Sequence, residues 1–96
     1  MPKATRKGDK NTGHDACPPI ELSEGSDNVF INGKPAGRMG DAYPIHGCDE
    51  HAPHIGVIAE GSGTVFINGK PAGRVDDPVS CGGNVAEGSD NVFIGG

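Results

Sequence analysis

One phrase, written twice in full and once cut short, constrains this chain more than anything else in it. Residues 24–41 read EGSDNVFINGKPAGRMGD, and residues 60–77 read EGSGTVFINGKPAGRVDD. A third copy opens at Glu87 as EGSDNVFIGG and reaches Gly96. Its other half stands at the opposite end, where Arg6-Lys7-Gly8-Asp9 matches Arg38-Met39-Gly40-Asp41. The pattern predicts three copies of one hairpin, the third split between the termini, with Asn91–Ile94 beside Ala4–Asp9. A single chain built this way closes on itself with approximate threefold symmetry.

Each copy carries its own local chemistry. Val29-Phe30-Ile31 and Val65-Phe66-Ile67 are β-branched and aromatic runs suited to strands. Asn32-Gly33 and Asn68-Gly69 follow at once, and Asn-Gly favours a two-residue type I′ turn because both positions need positive φ. Lys-Pro-Ala-Gly-Arg then returns. Pro35 and Pro71 cannot donate to a ladder, so the return strands are expected to be edge-like or to touch the next copy only loosely. The repeated Ser26, Ser62 and Ser89 follow Glu-Gly and precede a strand, which reads as turn chemistry. Arg38 and Arg74 have no cluster around them; a carboxylate within the same repeat is the expected partner. The aspartates after Gly8 and Gly40 are expected to bond loop backbone or to orient a ligand histidine.

Composition sets the limits on this frame. Ninety-six residues allow one domain, 1–96. With 33% hydrophobic residues, seventeen glycines and only four aromatic rings, a conventional core is thin. Chains this small lean on disulfides, a metal or a partner. Glycine and proline interrupt every stretch that could form an amphipathic helix, so the expected class is all-β. The net charge of −5 without a Lys/Arg cluster argues against nucleic acid. No signal peptide and no membrane-crossing apolar run is present, so the expected place of assembly is the cytoplasm. Three cysteines, Cys17, Cys48 and Cys81, are an odd number without a secretory leader. That favours reduced thiols or a metal over a disulfide framework.

The loops between hairpins hold all four histidines. His14 lies five residues after Asp9, His46 five after Asp41, and Cys81 four after Asp77. Read backwards from the next Glu-Gly-Ser, His54 to Glu60 aligns without a gap on Cys81 to Glu87. Closure would bring His14, His46, His54 and Cys81 towards the axis at one level. Three imidazoles and a thiolate form a complete tetrahedral set for zinc, with iron or copper as alternatives. His51 competes with His54; the gapless match to Cys81 favours His54. Cys48 has no counterpart in register, and Cys17 reads as a small apolar loop residue. A closed His₃Cys set leaves no position for substrate, so the metal would be structural, and no catalytic pattern stands elsewhere.

Pro-Ala-Gly-Arg at 35–38 and 71–74 resembles the Pro-Ala-Ala-Arg signature of the PAAR-repeat proteins, with glycine for the second alanine. The flanking Asn-Val-Phe-Ile-Asn-Gly, the Gly-Asp after the first motif and Ser80-Cys81-Gly82-Gly83 are also of that type, so the resemblance covers almost the whole chain. It departs at Asp76-Asp77, where Gly-Asp is expected, and in the long histidine-rich second loop. The resemblance implies a small β-cone, pinned by zinc near its tip through three histidines and a cysteine. Such cones cap the homotrimeric β-helical spike of type VI secretion systems and contractile phage tails, one copy per trimer, and meet the target membrane transiently. A chain that already supplies three hairpins is expected to be a monomer alone. Without an added toxin domain it looks like a bare tip rather than an enzyme. Two other readings stay open: a free-standing repeat-built binding module or adhesin, and a metallohydrolase using the histidines with water.

Overall fold

A computed structural model describes residues 1–13, 17–45 and 53–96. Two antiparallel hairpins carry its regular strands, β1 (Phe30–Ile31) with β2 (Lys34–Pro35) and β3 (Phe66–Ile67) with β4 (Lys70–Pro71). Both turn on Asn-Gly with positive φ, 55° and 78° in each copy, which is the backbone that a type I′ turn demands. The pairing is Phe30 with Pro35 and Ile31 with Lys34, and the second hairpin repeats it at Phe66–Pro71 and Ile67–Lys70. Among the described residues there is no helix, and so none long and apolar enough to cross a membrane.

The termini repeat this register. Phe93 bridges Lys3 as Phe30 pairs Pro35. Ala4 N donates to Val92 O at 3.0 Å, where Ala36 N donates to Val29 O and Ala72 N to Val65 O, both at 2.9 Å. Ile94 N adds a bond to Pro2 O at 2.9 Å. The segment joining 92–94 is therefore 2–4, a few residues earlier than the expected Ala4–Asp9. The reason is that the match at Arg6–Asp9 marks the turn after the return strand, and the strand itself lies upstream in residues whose identities have diverged.

The three return segments then close on one another. Gly37 N donates to Thr5 O, Gly73 N to Gly37 O and Thr5 N to Gly73 O, at 2.9, 2.9 and 3.1 Å. A second set of bonds runs from Lys7 N to Pro35 O, Met39 N to Pro71 O and Val75 N to Lys3 O. This corrects the expectation of loose return strands: a proline lacks a donor, but its carbonyl still accepts from the next copy. Among the described residues, the strand left with an open edge is the outgoing one.

Two apolar clusters fill the interior. One consists of Ala4, Ala36 and Ala72 with Ile31, Ile67 and Ile94, the same two positions of each copy. The other joins Leu22, Ile58 and Val85, one equivalent position, to Tyr43 and Val79. Between them the ring of Thr5, Gly37 and Gly73 leaves little room. A Cβ on Gly37 would lie 2.8 Å from Thr5 Cγ2 and 2.9 Å from Leu22 Cδ2, and one on Gly73 would lie 3.1 Å from Thr5 Cγ2. Only one of the three equivalent positions can carry a large side chain, and Thr5, fully buried, takes it. That explains the glycine in both Pro-Ala-Gly-Arg motifs. The molecule extends 37 × 24 × 22 Å along its principal axes.

Candidate functional site

Each copy ends its return strand in the same ion pair. Arg38 Nε and Nη2 donate to Asp41 Oδ2 and Oδ1 at 3.0 and 2.9 Å, and Arg38 N donates to Oδ2 at 2.8 Å. Arg6 with Asp9 and Arg74 with Asp77 repeat the arrangement. A planar guanidinium and a carboxylate three residues apart form a two-pronged bond, while the backbone N–H ties the carboxylate to the turn. The expected carboxylate within the repeat is thus present, and the aspartate serves the loop backbone. Hydrogen bonding to Asp9 and Asp41 holds the Arg6 and Arg38 guanidinium groups above their ordinary pKa, against the opposing effect of burial.

The serines do more than turn. Ser26 Oγ accepts from the N–H groups of Asn28 and Val29, as expected of a Ser turn. It also donates to Asn68 Oδ1 in the next hairpin's turn at 2.6 Å, where Arg38 Nη1 donates as well. Asn68 Nδ2 returns a bond to Asn28 Oδ1 at 2.8 Å. Ser89, Asn32, Arg6 and Asn91 repeat the network at the next junction. At the third junction Gly95 stands where the turn asparagines stand. Its main-chain carbonyl accepts from Ser62 Oγ and Arg74 Nη1 in their place. The Asn of each Asn-Gly therefore has two roles, and only the turn role is visible from neighbouring residues.

Glu24 and Glu87 each tie the start of a copy to the residue that follows its end. Glu24 Oε1 accepts from Ala42 N and Glu87 Oε1 from Lys10 N. At the equivalent place Pro78 has no N–H to give Glu60.

Of the four expected ligands, His54 and Cys81 are described; His14 and His46, with the competitor His51, lie outside the described residues. His54 is partly buried. Cys81 carries a free, partly buried thiol whose pKa is pushed up by burial. It packs against the second apolar cluster and over Gly56, where a Cβ would stand 2.5 Å from Sγ. The glycine leaves the sulfur a cradle that any side chain would fill. Among the described residues no group of three or more His, Cys, Asp or Glu side chains comes together.

Cys17 departs from expectation. It is buried, and it is disulfide-bonded rather than a small apolar thiol. An odd cysteine count concealed this, because one thiol stays free while another is oxidised. Tyr43 was also missed. It lies almost wholly inside the second cluster, and its hydroxyl has no hydrogen-bond partner among the described residues. Burial, and then Asp9 and Cys81, raise its pKa.

Compared with known proteins, residues 49–96 match the family model for the PAAR motif. No curated protein matches the chain.

Proposed function

The chain belongs to the PAAR-motif family, a structural family associated with the spike tips of type VI secretion, and from that premise we propose that it caps a homotrimeric β-helical spike. One copy sits on each trimer and sharpens it for membrane puncture, in a type VI secretion system or a contractile phage tail. The observation that carries this is the closed ring of main-chain bonds through Thr5, Gly37 and Gly73. It links the three return segments of one chain in a ring, which supports a match to a three-chain end. The one long and two near-equal short dimensions are compatible with an elongated tip.

A structural metal completes this reading. His14, His46, His54 and Cys81 would hold zinc, with iron as the alternative, and the metal would supply a cross-link among the loops where apolar packing is scarce. The free thiol and the Gly56 cradle support the assignment of Cys81. Such a saturated set supports a structural rather than a hydrolytic role.

Light scattering on a mixture with the purified spike trimer of the same machine tests the proposal. The expected mass is three spike chains plus one of these, and the chain alone should be monomeric. A homotrimer of this protein, or a three-to-three complex, would contradict it.

A further inference from the structure

Phe30, Phe66 and Phe93 occupy one position of the repeat, and their side chains are 56%, 57% and 45% exposed. Val29 and Val65, beside two of them, are also exposed. Exposed apolar residues of this size recur at the same place in every copy, so they follow the repeat rather than chance.

Their backbone points the same way. In each hairpin Phe30 or Phe66 faces a proline, and the flanking ladder bonds run from Ala36 to Val29 and from Ala72 to Val65. This is the non-hydrogen-bonded position of an antiparallel pair, at which N–H and C=O are directed away from the partner strand. Phe93 has the same register against Lys3, and among the described residues its N–H and C=O make no backbone hydrogen bond. The opposite edge of each hairpin is closed, since Pro35, Pro71 and Lys3 accept from Lys7, Met39 and Val75. Chains usually protect open edges with lysine, proline or a bulge. Here the prolines lie on the covered strand, and the open edge reads Val-Phe-Ile in all three copies.

Resting on the spike-cap reading above, we propose that the three open edges at Phe30, Phe66 and Phe93 are the docking surface, and that each adds to one strand of the trimer. Strand addition satisfies the outward N–H and C=O of each phenylalanine while the partner covers its ring. The occupant follows from the ring through Thr5, Gly37 and Gly73, which arranges the edges about one axis. A three-chain β partner can meet all three at once. A second copy of this chain, pairing edge to edge, would cover one and leave two open.

The test uses Phe→Thr at each position, which keeps strand propensity, singly and in a triple variant, with Val29→Lys as an edge-blocking variant that keeps the rings. Circular dichroism and melting establish that the variants fold. Titration against the purified spike trimer should then show at least tenfold weaker binding for each single change and for Val29→Lys, and loss of micromolar binding for the triple variant. Folded variants that bind like the unsubstituted chain would overturn the docking surface and leave the cap intact. If the unsubstituted chain does not bind the trimer at all, the cap reading fails and the inference falls with it. A mass showing self-association, abolished in the triple variant, would assign the edges to a second copy and overturn the proposal.

Discussion

Thr5 and Gly37 share one place on the axis: a Cβ on Gly37 would stand 2.8 Å from Thr5 Cγ2. Gly37→Ala should therefore cost about 1–3 kcal/mol by overpacking. Thr5→Ala should also destabilise, because it opens a void and removes the bond from Thr5 Oγ1 to Glu87 O. The double variant should lose less than the sum of the two, since the smaller residue makes room. Leu22 Cδ2, 2.9 Å from the same Cβ, keeps the recovery incomplete. Denaturant unfolding of the four proteins gives the coupling; strict additivity would mean the two sites do not share space.

Asp76 has φ of 79°, where its counterparts Gly8 and Gly40 have 95° and 92°. A side chain in that region is strained, and glycine is not. Asp76→Gly should raise stability by about 0.5–1 kcal/mol, and Gly40→Ala should lower it by about 1 kcal/mol. If melting of Asp76→Gly shows a loss, the carboxylate is doing something that outweighs the strain.

Tyr43 is the only tyrosine, so its ionisation can be read directly from ultraviolet absorbance. Its folded pKa is raised by burial, so the neutral phenol favours the fold. That contribution is complete below the unfolded value of about 10 and is lost as pH rises beyond it. Stability should fall on the alkaline side of about pH 10, and Tyr43→Phe should flatten that fall. Near neutral pH the same change should be neutral or stabilising, because the hydroxyl has no partner to lose among the described residues. Ionisation near pH 10 in the folded protein would show that water reaches the hydroxyl.

Removing residues 90–96 should destabilise the whole domain. It deletes Ile94 from the first cluster, the bonds from Ala4 to Val92 and from Ile94 to Pro2, and the Gly95 carbonyl that serves Ser62 and Arg74. The remaining apolar residues and strand edges would face water. A truncated chain melting at the temperature of the full one would contradict the closure.

Protein prepared without added metal should contain about one equivalent of zinc by elemental analysis. Chelation should lower the melting temperature by more than about 10 °C. His54→Ala should lose the metal and His51→Ala should keep it; the reverse result would exchange the two in the ligand set.

Much of the frame is written in neighbouring residues. Val-Phe-Ile, then Asn-Gly, then Lys-Pro-Ala-Gly-Arg specifies a strand, a type I′ turn and a return, because turn type depends on the φ of two adjacent residues. The Arg–Asp pair, three residues apart, was legible for the same reason. The split third copy was legible from repetition alone, although its register was not, since Pro2-Lys3-Ala4-Thr5 no longer resembles Lys34-Pro35-Ala36-Gly37.

Tertiary structure decided what depends on separation through space. Thr5 filling the axis, the turn asparagines bonding the next hairpin, the unpartnered Tyr43 hydroxyl and the Gly56 cradle under Cys81 all join residues distant in sequence. None has a local pattern to announce it. Repetition told which residues are equivalent; only packing told that equivalent positions cannot all hold the same side chain, because they converge on an axis with room for one.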